Sequence, residues 1–282
     1  MKISRRTFLK TLAAGSVTTA ISGIGSWGYV TEIEPDWIEI TQVRLTLPRL
    51  DPAFNGYRIA QISDIHIDTW LGGERLENIV HLINQQQPDL VTITGDFVTH
   101  SLRYNADMIT ALRQLTPPDG TAAVLGNHDY WTDAPAIRQV IQRSSLVDVN
   151  NNVHVIQRGD ARLHIGGVDD VMEGKSKLSQ VLNRLPEQGA AILLAHEPDY
   201  ADRSSVSGRI DLQISGHSHG GQVNLPIIGR PVLPSLGRKY PAGLYRVGEM
   251  YQYTNRGIGM VFPAVRLNCR PEITIFTLQS PI

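Results

Sequence analysis

The stretch "YRIAQISDIH" (residues 57–66) runs from an apolar-rich segment straight into an aspartate and a histidine, and that ending frames the rest of the chain. Residues 57–63 read as a short buried strand that stops at Asp64. Leu76, Ile79, Val80 and Ile83 then recur at helical spacing until Pro88 ends the segment. "DLVTITG" (89–95) repeats the strand and stops at Asp96, and a second helical segment carries Met108, Ile109, Leu112 and Leu115 up to Pro117 and Pro118. "AAVLG" (122–126) is a third strand, running into Asn127, His128 and Asp129. Strands alternating with helices of this length imply right-handed βαβ crossovers and a largely parallel central sheet.

The second half is richer in strands. Candidates are residues 163–168, 190–196, 211–217, 243–247, 251–255 and 272–278. A Pro/Gly-rich loop at 224–242 carries Arg230, Arg238 and Lys239, and loops of that length in compact domains are usually functional or disordered. No internal repeat, low-complexity tract or linker interrupts the chain. The organisation expected is an N-terminal targeting segment (1–30), a lead-in (31–56) and one domain (57–282).

Composition is that of a globular protein: 282 residues, 41% hydrophobic and 19% charged, with a net charge of -1. Without a run of Lys or Arg, no nucleic-acid-binding surface is indicated. The lone Cys269 excludes an intramolecular disulfide and a thiolate metal cage, and reads as a small buried hydrophobe. A monomer is expected. At the N-terminus, Arg5 and Arg6 precede Phe8, Leu9 and Lys10, followed by an apolar stretch free of acids up to Val30. That pattern resembles a twin-arginine export signal, which implies contact with the export machinery and a location in the periplasm, the cell wall or the outer face of the membrane. No A-x-A triplet follows, so removal of the segment and its retention as an anchor both stay open.

The strand ends collect the chemistry. They deliver Asp64 and His66, Asp96, Asn127 and His128, His196, and finally His217 and His219 of "GHSHGG" (216–221). Ligands of open α/β sheets bind at the carboxyl ends of strands. Any one of these residues serves as a cap or turn elsewhere; five strand ends doing so together points to a site. In an extended backbone His217 and His219 point the same way, toward one point. Oxygen and imidazole donors without sulfur suit Mn, Fe, Zn or Co, and seven such ligands are too many for one tetrahedral ion but suit two ions sharing a carboxylate. His81, His100, His154 and His164 have no such company and read as ordinary surface or core residues.

The series "DIH", "GD", "GNHD", "AH" and "GHSH" resembles, in order and spacing, the calcineurin-like metallophosphoesterases. "GHSHGGQ", "GRKYPAGLY", "NRGIG" and "RLNCRPEIT" are similar to the twin-arginine-exported bacterial phosphodiesterases of the YaeI/YkuE type. The resemblance covers residues 57 to the C-terminus. It implies an α/β, four-layer sandwich of two mixed β-sheets flanked by helices. It also implies two divalent ions, one held by Asp64, His66 and His219, the other by Asn127, His196 and His217, with Asp96 bridging. His128 would not ligate but would face the phosphate as the catalytic residue, stabilising the developing charge or protonating the leaving oxygen. Asp129 would either orient that imidazole or cap the helix over residues 134–143. Where many relatives carry an acid soon after "GD", this chain reads "FVTHS" (97–101), so a carboxylate partner for His128 is missing there.

The activity implied is hydrolysis of a phosphodiester or pyrophosphate by a metal-bridging hydroxide. The apolar and basic residues of the 224–242 loop make a lipid-linked phosphoester one candidate substrate. The alternatives are a phosphomonoesterase or protein phosphatase of the same fold, and a metal-binding envelope protein with weak catalysis.

Overall fold

The computed structural model describes residues 26–281. The proposed export signal falls almost wholly on residues 1–25, outside the described residues.

Among the described residues, twelve strands form two six-stranded mixed sheets. The first is ordered β1 (Glu39–Thr46), β12 (Glu272–Gln279), β2 (Arg58–Ile62), β3 (Leu90–Thr94), β4 (Thr121–Val124) and β5 (Val147–Asp148). Only the β12–β2 pair within it is antiparallel. The second is ordered β10 (Gly243–Val247), β11 (Met250–Thr254), β9 (Leu212–Ser215), β8 (Ala191–Leu194), β7 (Ala161–Gly167) and β6 (Asn152–Arg158). Its outer pairs are antiparallel hairpins and its centre is parallel. The βαβ reading of residues 57–129 holds within the first sheet, and the two-sheet sandwich is the architecture observed.

Helices α1 (Gly73–Gln85), α2 (Asn105–Leu112), α3 (Asn127–Thr132) and α4 (Ala134–Arg143) belong to the first half of the chain. α1 buries Leu76, Ile79, Val80 and Ile83 along one stripe, the residues whose spacing marked it. Each such aliphatic side chain contributes about 1.5–3 kcal/mol when fully buried. α4 starts where the Asp133 side chain accepts from the Ala136 N–H, so Asp133, and not Asp129, is its cap.

Between the sheets, Ile59, Leu90, Val124 and Phe276 meet Ile165, Ile192, Ile214 and Tyr253. Alternate residues of the same strands point outward onto the helices: Ala60 and Ile62 beside Ile59, Val91 and Ile93 beside Leu90. Toward the carboxyl ends of the strands the seam turns polar, where Gln61 Nε2 donates to Thr94 Oγ1 and to the Ser215 carbonyl across the sheets. The apolar part fastens the sandwich, and the polar end faces the site.

Residues 31–56, expected as a lead-in, supply β1, which pairs in parallel with the C-terminal strand along eight residues. β5 and β6 were likewise unexpected. Among the described residues no helix is long and apolar enough to cross a membrane.

Candidate metal centre

All eight sequence-predicted site residues converge at one end of the sandwich. Three strands of the first sheet contribute: β2 leads to Asp64 and His66, β3 to Asp96, β4 to Asn127 and His128. Two strands of the second contribute the rest, β8 leading to His196 and β9 to His217 and His219.

The backbone at these ends is unusual. Asp64, His66, Asp96, His217 and His219 all have φ between 46° and 67°, the left-handed region that non-glycine residues rarely adopt. Each such residue costs of order 1–3 kcal/mol, a cost that persists where surrounding structure over-determines it. The hydrogen bonds doing so are visible. The Asp64 N–H donates to the Gly95 carbonyl and the His66 N–H to the Asp96 carbonyl. At Gly126 any Cβ would meet Asp96 Oδ1 and come within 2.8 Å of His196 Cε1, so only glycine lets β4 pass this close.

Three overlapping groups have ligand atoms within 4.8 Å of one another. Two form separate clusters, Asp64 with His66 and His219, and Asp96 with His196 and His217; the third, His66 with Asp96 and His128, spans them. Asp96 Oδ2 stands between them, 3.5 Å from His66 Nε2 and 3.1 Å from His196 Nε2. His66 Nε2 and His219 Nε2 are 3.1 Å apart, and His219 Nε2 is 3.3 Å from Asp64 Oδ1. Asn127 Oδ1 and His219 Nδ1 are buried without a hydrogen-bond partner.

Outer contacts orient the rings. His196 Nδ1 donates to the Thr94 carbonyl at 2.7 Å, which turns Nε2 toward Asp96. His217 Nε2 donates to the Ser235 carbonyl at 2.8 Å, which leaves Nδ1 for the cluster. His217 and His219 therefore do not face one point. Both sit at positive φ rather than in a strand, and each joins a different cluster.

Burial sets the charge states. It pushes Asp64 up to about 7 and His66 down to about 3. His219 is likewise held well below its ordinary value by burial and by neighbouring His66. Burial opposes both the anion of Asp96 and the cation of His196, but each outweighs it for the other, holding Asp96 low and His196 high. Among the described residues, no Lys or Arg lies within salt-bridge distance of Asp64 or Asp96. Buried carboxylates paired only with mostly neutral imidazoles, next to an orphaned amide oxygen, form a nitrogen–oxygen donor set that fits borderline divalent ions.

His128 Nδ1 lies 2.9 Å from the Thr99 carbonyl, and its backbone N–H donates to Asp96 Oδ1. The partner absent from "FVTHS" is thus a backbone carbonyl. His100, read as an isolated histidine, has its ring centroid 5.1 Å from that of His128. Asp129 neither orients His128 nor caps α4. Its carboxylate accepts from the N–H groups of Phe97, Val98 and Gly126, tying the β3 exit to the β4 exit. Sequence reasoning missed Thr94, Thr99 and Ser235 because each acts through a carbonyl that every residue carries. In front of the centre lies a cleft of about 360 Å³, with Asp96, Asn127 and His128 at its polar end and Val232, Leu233, Val261 and Val265 along an apolar wall.

A model of the calcineurin-like phosphoesterase family matches residues 57–221, more than half of the chain. The chain is 34% identical to the uncharacterized metallophosphoesterase YkuE of Bacillus subtilis, over 99% of both chains. It is 30% identical to the phosphodiesterase YaeI of Escherichia coli, over 98% of this chain and 99% of that one. Among solved structures, TT1561 of Thermus thermophilus covers 72% of this chain and 91% of its own, at 14% identity and a TM-score of 0.47. The protein belongs to the calcineurin-like phosphoesterase family and is a metal-dependent phosphoester hydrolase.

Proposed function

We propose that the chain is a phosphodiesterase with a dinuclear centre. Asp64, His66 and His219 hold one ion, Asn127, His196 and His217 the other, and Asp96 bridges. The observation that carries this is the position of Asp96 Oδ2 within 3.5 Å of a histidine from each cluster, beside the orphaned Asn127 Oδ1. When bound, two divalent ions supply Lewis acidity toward the phosphoryl oxygens and an activated water near neutral pH.

The chain's own groups do the rest. The carbonyls of Thr94 and Ser235 fix the tautomers and ring angles of His196 and His217. The Asp96 carboxylate is held by the His128 N–H, so bridge and acid share one anchor. His128, steadied through Nδ1 by Thr99, presents Nε2 to the cleft and donates its proton to the departing oxygen. A diester or pyrophosphate is favoured over a monoester by the length of the apolar wall, which accommodates a second substituent on the phosphate, and by the similarity to the phosphodiesterase YaeI. Export by the twin-arginine route, to the outer side of the cytoplasmic membrane, belongs to the same reading and rests on Arg5 and Arg6.

The test is turnover of bis-p-nitrophenyl phosphate and p-nitrophenyl phosphate after chelation and reloading with Mn, Fe, Zn or Co. The diester should be hydrolysed faster, with no activity before reloading. Preference for the monoester would overturn the phosphodiesterase reading.

A further inference from the structure

The apolar wall of the cleft does not end inside the protein. Val232 and Phe262 of that wall stand in water, Phe262 at 96% exposure, and on the turn after Leu225, Ile227 and Ile228 are 108% and 72% exposed. Single exposed aliphatics are common, but these sit on two loops fastened to one another at one mouth. Gln222 donates to the carbonyls of Val261, Pro263 and Val265 and accepts from the Val261 N–H. Beside it the Asn224 N–H donates to the Leu267 carbonyl, leading into the turn closed by Leu225 and Gly229 that carries Ile227 and Ile228 at its tip.

Charge and connectivity say what covers this face. Residues 212–248 and 250–271 contain no Asp or Glu, while Arg230, Arg238, Lys239 and Arg270 lie among them. The described N-terminal segment arrives at the same place: the Arg266 N–H donates to the Val30 carbonyl, with exposed Trp27 and Ile33 on either side of it in sequence. Ahead of it the sequence holds two arginines and an apolar stretch. Lys239 is paired to Asp202, and acids return at Glu32, Glu34 and Asp36 of the N-terminal segment. Apolar tips on two acid-free stretches that carry Arg230, Arg238 and Arg270 match an anionic lipid surface.

We propose that this face docks on anionic membrane, with Ile227, Ile228 and Phe262 entering the headgroup–acyl boundary. The cleft then opens onto the headgroup plane, where it takes phosphoesters whose hydrocarbon part remains in the bilayer. What happens inside the cleft rests on the phosphodiesterase reading; the docking does not.

The experiment uses the full-length chain with an environment-sensitive fluorophore on Phe262→Cys, Ile227→Cys or Val206→Cys. The native Cys269 is buried, and exposed Val206 lies ahead of β9, at the opposite end of the second sheet. Vesicles contain equal parts phosphatidylcholine and phosphatidylglycerol, with and without nitroxide-bearing lipid. Labels at 262 and 227 should shift their emission to the blue and be quenched by the nitroxide, while the label at 206 does neither. Labels at 262 and 227 that stay as aqueous as 206 would overturn the proposal. So would shielding that appears without lipid as protein concentration rises, because it identifies a second copy as the occupant. Turnover of bis-p-nitrophenyl phosphate by the same labelled proteins separates the two ideas. Insertion without turnover supports docking against the phosphodiesterase reading, and turnover with aqueous labels overturns docking alone.

Discussion

Asp129→Asn changes one atom and should cost both stability and metal. The side chain is fully buried; Oδ1 accepts from Phe97 N–H at 2.8 Å and Val98 N–H at 3.3 Å, and Oδ2 from Gly126 N–H at 3.0 Å. An amide offers one acceptor oxygen and turns two donors toward whatever faces the other position. If the oxygen stays on Phe97 and Val98, the NH2 confronts the Gly126 N–H; if it flips, two buried N–H groups lose their partner. One unsatisfied buried donor costs about 1–3 kcal/mol. Burial and neighbouring Asp96 push the Asp129 carboxyl up to about 8, so the cost rests on the lost N–H partners and not on charge. A total of about 2–3 kcal/mol lowers the Tm by roughly 5–10 °C in a domain of this size. Because Phe97 follows Asp96 and Gly126 precedes Asn127, metal occupancy should fall as well. Thermal melts in EDTA read the fold, and elemental analysis after reloading reads the centre. A Tm within about 2 °C of the parent, with full metal content, would refute the clamp. Unchanged melting and metal with slower turnover of poor leaving groups would instead mean that Asp129 works through His128.

His128→Ala should keep near-normal metal content and slow turnover by about 10²–10⁴-fold, the usual range for a general acid. The loss should be smaller with p-nitrophenolate as leaving group; equal losses on good and poor leaving groups would point to phosphate positioning. Arg5→Lys combined with Arg6→Lys keeps the charge but removes the guanidinium pair. The protein should then accumulate inside the cell, folded and active, and unchanged export measured by fractionation would contradict the twin-arginine assignment.

The first half of the fold was legible because its helices carry a clear period. Leu76, Ile79, Val80 and Ile83 mark α1 without ambiguity, and Pro88 stops it. β1 was not legible: Thr41, Gln42 and Arg44 leave it half exposed at a sheet edge, and its partner β12 lies at the other end of the chain. Local pattern carries no trace of such a pairing. At the centre, residue types at strand ends sufficed to gather all eight side chains. Which way they face was harder, because the alternation argument for His217 and His219 assumes an extended backbone and both residues have positive φ. The positioning of His128 by the Thr99 carbonyl had no sequence signature at all, since the group involved is common to every residue.

Anomalous diffraction from a manganese-loaded crystal tests the central claim most directly. Two anomalous peaks should appear, one bounded by Asp64, His66 and His219, the other by Asn127, His196 and His217, with the Asp96 carboxylate between them. A single peak, or a second peak out of reach of Asp96, would contradict the shared-carboxylate centre.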